Sequence, residues 1–483
     1  DIRELYDPDV AVYIGSWEVK CPHCGRYTPI VGNWWLARVG RATEEAGEGG
    51  AKEGEFKRLA WMEPAKAGDI IAITVRDLNK ELGKKEIKAR VDTERGVVEV
   101  GGRRYSVPTP NIYARGETAT CLHCGTPIGK GKSGDWYVKE ALREWNANLE
   151  AYLSGGMALE RLLASRARPR ILVRVRVVNG DLSFEPAMRE DTERLWRALE
   201  KLREVWGDPD IPTETIPPYA SRYLFPILYG FDKWFKLFNP RQLFTLTKLV
   251  KLIREVKERI KEETERGGSR TGLYAEAITT YLAIMLCKHA DYNFLCNLWD
   301  CNIPKISHGL TMRGIAMMWN WVDINPSIDF TGSWMRAVKQ SISSLHYLAS
   351  FVVNGFNRVV VLLDDTTRLK KVKETTKNYG FDIILTDPPY RDDVPFTELS
   401  DFYYVWLKRA LSDVEDVGGV LIRVPSFHED AFFEEGLEIE TQWKKFAPRE
   451  VSEDESRARF FGGNVGSFDY FKNLLSASFK VMA

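Results

Sequence analysis

The sequence predicts an α/β protein. Three observations carry this. Two widely separated Cys-x-x-Cys pairs enclose a β-rich stretch, amphipathic helical patterns fill the middle, and two continuous apolar runs near the C-terminus have the character of buried parallel strands. The 483 residues allow two to four domains. We divide them into a β-rich unit over 1–150, a mainly helical region over 151–350 that is a candidate for target recognition, and an α/β unit over 351–483.

Composition narrows the class. Apolar residues make up 44% of the chain, enough for ordinary cores, which excludes a disordered protein. Lys+Arg equals Asp+Glu at 68 each, so any nucleic-acid face must be a local basic patch rather than a whole-protein field. No apolar run reaches the roughly 18 residues of a membrane span, and no secretory leader is visible. Four of the seven cysteines sit in matched pairs, which fits metal ligation in a reducing, cytoplasmic setting. The chain opens at Asp1 without Met and stops inside an expected helix, Phe468–Ala483. We therefore expect a fragment of a longer gene.

Taken in order, Cys21-Pro22-His23-Cys24-Gly25 and Cys121-Leu122-His123-Cys124-Gly125 read as two matched knuckles. Four thiolates, Cys21, Cys24, Cys121 and Cys124, make a closed structural Zn2+ site once the intervening strands bring them together. A redox pair is the competing reading. His23 and His123 lie between the ligands and are expected exposed and unbound. Ile70–Val75 and Ile87–Val100 read as strands, and Gly40–Gly54 as a flexible surface loop.

Pro169–Val178 is a basic strand candidate overlapping the dense basic stretch Arg166–Arg176, with Arg170, Arg174 and Arg176 on one face. It is either a phosphate-binding face or a solvated sheet edge. Asp191–Trp206 has helical spacing, and Ile211–Pro218 is a Pro-rich connector. Asn239 caps a long helix from Pro240 to Arg266, with Leu243, Leu246, Leu249, Val250, Leu252, Ile253, Val256 and Ile260 inward. Its basic face, Lys248 to Lys261, reads as solvated. Helices follow over Tyr274–His289 and Trp334–Val353. Cys287, His289, Cys296, Cys301 and His308 read as core or surface rather than a second metal site. Trp34, Trp35, Trp319 and Trp321 read as core.

Val359–Leu363 is the first expected buried strand, followed by Asp364-Asp365, where an acid could meet a cofactor. Arg368–Tyr379 is a polar helix or turn. Phe381–Leu385 is the second strand, Phe396–Leu411 an aromatic-rich helix, and Gly418–Val424 a third strand. Phe461–Gly466 is a glycine cluster read as a loop.

The second strand runs into Asp387-Pro388-Pro389-Tyr390. Ligands bind at the carboxyl ends of strands in open parallel sheets. An exocyclic base amine is a poor nucleophile because its lone pair is delocalised into the ring. The Asp387 carboxylate and the Pro388 carbonyl can accept its two N–H protons and localise that pair. Two prolines fix the backbone and add no competing N–H. Tyr390 offers a ring to stack on a base taken out of the duplex. The structural alternative is plain turn chemistry after a strand.

The tract Thr386–Leu407, TDPPYRDDVPFTELSDFYYVWL, resembles the catalytic segment of the zinc-ribbon-containing adenine-specific DNA methylases. Cys21–Trp35 is similar to their zinc-ribbon opening. Further similarities fall at Tyr229-Gly230-Phe231 with Trp234, at 237–243, and at Asn325-Pro326 with Gly332-Ser333-Trp334. Arg391 and Asp393 depart from the pattern. The resemblance implies a Rossmann-like methyltransferase core, here partial, with a β-rich zinc-ribbon insertion. It implies S-adenosylmethionine as donor and N6 of adenine in DNA as acceptor, with Asp387, Pro388, Pro389 and Tyr390 catalytic.

A glycine-rich cofactor loop is missing from its expected place. We expect an upstream polypeptide to supply it, leaving Asp364 and Asp365 as the cofactor-side candidates within this chain. Two other functions stay open: methylation of an exocyclic amine in RNA, and a non-catalytic zinc-ribbon half of a split nucleic-acid-binding enzyme.

Overall fold

The computed structural model describes residues 2–40, 51–113, 117–265, 271–310, 313–351, 360–377, 380–391, 394–462 and 467–483. The first elements are β-rich. Strands β1 (Val10–Lys20) and β2 (Tyr27–Ile30) flank the first cysteine pair. Then come β3 (Trp35–Gly40), β4 (Ala51–Ala67), β5 (Ile70–Asp77), helix α1 (Leu78–Leu82), β6 (Ile87–Asp92), β7 (Val97–Val100) and β8 (Arg103–Ser106). Three short strands, β9 (Ile112–Tyr113), β10 (Thr118–Thr120) and β11 (Pro127–Ile128), frame the second pair.

Helices α2 (Tyr137–Leu153) and α3 (Leu159–Leu163) lead to the hairpin of β12 (Ala167–Val178) and β13 (Asp181–Pro186). Helices α4 (Arg189–Glu204), α5 (Pro240–Glu265) and α6 (Thr271–Asp291) follow. Next are the hairpin β14 (Leu298–Asp300) to β15 (Lys305–Ser307), strand β16 (Asn320–Ile324), and helices α7 (Trp334–Ala349), α8 (Lys370–Thr376) and α9 (Phe396–Leu411). The hairpin β17 (Asp413–Val417) to β18 (Val420–Val424) comes after α9.

The protein is a mixed α/β structure with several sheets. Strand β1 is apolar at almost every position and buried from Val10 to Val19, because both faces and both edges are covered. It pairs antiparallel with β12 on one side, and with β16 and β2 on the other. This sheet, ordered β13-β12-β1-β16, crosses the expected boundary at residue 150.

The sheet separates two cores. Tyr13, Trp17 and Val19 face a core shared with α2, α4, α5 and α9, whereas Val12 and Ile14 face a core shared with the second sheet. That second sheet runs β3-β4-β6-β7-β8, with β5 also on β4. Gly15 is needed in β1 because the Trp321 ring lies over it. A Cβ there would meet that ring at 2.3 Å.

Several expectations are corrected. Ala51–Gly54 belong to β4 rather than a loop, and 41–50 lie outside the described residues. Asn239 caps α5 as expected, its Oδ1 accepting the Arg241 and Gln242 N–H groups at 2.9 Å. Leu252 and Val256 are exposed, and Lys257 is buried in their stead because Asp413 and Ser426 reach it.

Val360–Leu363 and Phe381–Leu385 do not form strands; both lack regular secondary structure and are exposed, with Val361 at 89% and Leu385 at 90%. Val359 lies outside the described residues. An apolar run asks for burial but cannot supply the neighbour whose backbone groups it must pair with. The third expected strand begins at Val420 and joins β17 antiparallel in a hairpin rather than a parallel sheet.

Candidate functional site

The two knuckles adopt the same local structure. The Gly25 N–H donates to the Cys21 carbonyl at 2.9 Å, and the Gly125 N–H to the Cys121 carbonyl at 2.8 Å. Cys21 N–H closes on the Arg26 carbonyl, and Cys121 N–H on that of Thr126. Both turns need a left-handed residue, met by Gly25 at φ 72° and Gly125 at φ 74°. Strands β1 and β2 present one turn, β10 and β11 the other.

Cys21 Sγ then lies 3.9 Å from Cys124 Sγ, and Cys24 Sγ 3.7 Å from Cys121 Sγ; all four sulfurs fall within 4.8 Å of one another. A tetrahedral metal with bonds of about 2.3 Å spaces its sulfurs about 3.8 Å apart. The four cysteines can therefore hold one structural ion. Burial pushes the Cys121 thiol up to about 12, while hydrogen bonds from Thr126 pull Cys124 down to about 6. A dication would reverse the first of these and deprotonate the set.

His23 is exposed, as expected. His123 is buried, a correction, because its Nε2 meets the Tyr27 carbonyl at 3.1 Å. Among the described residues no other cluster of metal-ligating side chains occurs. Cys287, Cys296 and Cys301 are buried singly, and His289 Nδ1 meets the Gly332 carbonyl at 2.8 Å.

The tetrapeptide stands apart from the knuckles. Asp387 and Pro388 are exposed, Pro389 is half-buried, and the Tyr390 ring is 73% exposed. Asp387 makes no hydrogen bond or ion pair with any described residue, so no arginine holds it. Arg391 pins the exit of the motif: it pairs with Glu453, its carbonyl accepts the Glu453 N–H at 2.8 Å, and its guanidinium lies over Phe468. Asp393 lies outside the described residues.

Helix α9 begins six residues after Tyr390, and its first turn is capped from a distance. Glu450 accepts the N–H groups of Phe396 at 3.1 Å and Thr397 at 2.8 Å. Its charged residues are buried and partnered. Glu398 binds Arg457 through both oxygens and accepts the Tyr219 hydroxyl at 2.7 Å. Arg409 and Lys408 both hold Glu214. The sequence reading missed these anchors; the signal was acid and base inside an otherwise apolar, aromatic helix. Phe402, Tyr404 and Trp406 are core, and Tyr403 alone of that series is half-buried.

Asp364 and Asp365 are engaged locally. Asp364 accepts the N–H groups of Asp365 and Val372, each at 2.9 Å, and Val372 in particular holds its carboxyl below the usual range. Asp365 accepts the Thr367 N–H and hydroxyl. Both thus organise the entry to α8. No hydrogen bond or ion pair joins them to the tetrapeptide. Both acids are thus engaged, and no glycine-rich loop follows a strand among the described residues; of the glycine cluster at 461–466, residues 463–466 lie outside them.

The basic strand, read as either a phosphate-binding face or a solvated edge, is neutralised. Arg168 and Arg170 pair with Glu18, Arg174 with Asp7 and Asp191, Arg176 with Asp9 and Glu185, and Arg166 with Glu140 and Glu144. Strand β12 lies between β1 and β13, so it is not an edge either. Trp34, Trp35 and Trp321 are core. Trp319 packs edge-on against Trp136 and Tyr229. No described helix is long and apolar enough to cross a membrane. Comparison with known proteins returns no matching family, no matching curated protein and no matching solved structure.

Proposed function

We propose that this chain carries the base-binding and zinc-ribbon parts of an S-adenosylmethionine-dependent DNA methyltransferase acting on N6 of adenine. The observation that carries the reading is the state of Asp387-Pro388-Pro389-Tyr390. Its carboxylate makes no hydrogen bond or ion pair with a described residue, its ring is open, and the chain on its C-terminal side is pinned by Arg391, Glu450 and α9. A merely structural Asp-Pro-Pro turn would have its carboxylate capping a nearby backbone N–H.

In this reading Asp387 and the Pro388 carbonyl each accept one amine proton of a flipped adenine, and Tyr390 stacks on its ring. The donor group is absent from the chain's described residues and is assigned to a second polypeptide carrying the glycine-rich loop. The exposed runs 360–363 and 381–385, each followed within two residues by an acid and separated by α8, support that division. They have the order of a β-α-β unit and the apolarity of strands awaiting neighbours. The ion we assign to the four cysteines is zinc, with a structural role.

The test mixes this chain with the loop-bearing polypeptide, labelled methyl donor, and DNA or RNA oligonucleotides, followed by mass spectrometry of the nucleosides. N6-methyladenine in DNA is expected, and Asp387→Ala should abolish it with zinc content unchanged. Normal turnover by Asp387→Ala would refute the assignment. Modification confined to RNA would move the substrate class. The unfinished donor site also favours the split-enzyme reading, so calorimetry should show no S-adenosylmethionine binding by this chain alone.

A further inference from the structure

The chain has equal numbers of acids and bases, yet they are not evenly paired. The arginines of β12 are consumed by carboxylates, and on α5 Lys251, Arg254 and Lys257 are held by Asp208, Asp210 and Asp413. Four lysines behave differently. Lys57, Lys80, Lys84 and Lys85 form no ion pair with any described residue, and all four line one open cleft of about 720 Å3. Arg58 lines it too, with Asp181 the sole acid among the described residues of the wall; Arg58 is held between Asp77 at 2.6 Å and Asp181 at 2.7 Å.

The lysines are arranged rather than scattered. Asn79, buried in α1, donates through Nδ2 to the carbonyls of Lys57 at 3.0 Å, Lys84 at 3.2 Å and Lys85 at 3.3 Å. Its Oδ1 accepts the Leu59 N–H at 2.9 Å. One buried amide thus fixes the backbone under three of the four ammonium groups. The fourth, Lys80, donates to Ser183 Oγ at 3.0 Å. The rest of the wall is apolar, with Leu182 from β13 and Ile303 and Pro304 from the turn between β14 and β15.

We propose that this cleft holds the phosphodiester backbone of the nucleic acid, with the lysines on phosphates and the apolar wall against a sugar or base. Several point charges on flexible stems suit successive phosphates, and the volume accommodates nucleotide-sized groups. The identity of the polyanion rests on the function proposed above; the excess of unpaired positive charge does not.

The test is fluorescence anisotropy with the full chain and a labelled DNA oligonucleotide across a salt series. Each phosphate contact contributes about 0.9 to the slope of log affinity against log salt. Lys57→Glu, Lys84→Glu and Lys85→Glu combined should weaken binding at least tenfold, and the corresponding Gln variant should flatten the slope by about two to three. Lys339→Glu, at a lysine already paired with Asp329, should leave both unchanged. Zinc content and circular dichroism establish that the variants fold.

Unchanged affinity and slope in the triple variants would overturn the proposal. So would failure of the wild-type chain to bind the oligonucleotide while binding an acidic peptide. Binding is read without methyl transfer, so loss of turnover in Asp387→Ala alongside intact DNA binding, or the reverse, separates failure of one reading from failure of the other.

Discussion

Asp401 and Glu214 lie on or against the same helix and meet opposite fates. Burial would raise Glu214, but Arg409 and Lys408 outweigh it and hold the carboxyl at about 2. Asp401 accepts the Trp234 Nε1–H at 3.1 Å and the Gln442 N–H at 2.8 Å, which do not outweigh its desolvation, and burial pushes it up to about 7. Its folded value lies above the unfolded value of about 3.9. The stability tied to its protonated form is therefore complete below about pH 4 and is lost as pH rises through about 7. Urea unfolding from about pH 4 to 8 should show wild type losing stability more steeply than Asp401→Asn. Parallel curves would contradict the shift. At the same scale, Glu398→Gln should cost about 3–5 kcal/mol, because it leaves the fully buried Arg457 short of its charge partner.

At the scale of elements, legibility follows locality. Helix α9 spans Phe396–Leu411 in the sequence reading and in the structure alike, since its apolar spacing and following Ser412 are written within one stretch. The knuckles were legible for the same reason: two cysteines and a glycine fix a turn by themselves. The basic strand was legible as a strand but not as neutral, because its partners Glu18 and Asp7 are remote in sequence and only sheet pairing brings them near. The runs 360–363 and 381–385 had the composition of strands, yet composition names no neighbour.

The close approach of Trp321 to Gly15 was likewise invisible, being a contact between β1 and β16. Gly15→Ala should overpack that contact and lower stability by about 1–3 kcal/mol, measured by thermal or urea unfolding. Glu450→Ala should remove the remote cap of α9 and cost about 1 kcal/mol, with exchange of the Phe396 and Thr397 amides accelerated before the rest of the helix. Equal exchange in the variant would mean that Pro395 and solvent suffice there.

For the whole molecule, the central sheet couples distant parts of the chain through one strand. The first cysteine turn leaves the end of β1, and β1 separates the two cores while pairing with β12 and β16. Closing the four-thiolate site ties that end to the β9–β11 sheet, where Asn111 already bonds the Pro29 and Thr120 carbonyls. A metal bound here would do more than order two turns, because it would fix the end of the strand on which both cores are built. The purified chain should hold one zinc, read by metal analysis. Chelation, or Cys121→Ser, should lower the unfolding temperature and raise amide exchange along β1, β2 and β10 together, spreading to β12. Exchange confined to the two turns would show that the hydrogen bonds of Asn111 and the sheet hold the strand without the ion, and would reduce the site to a local clip.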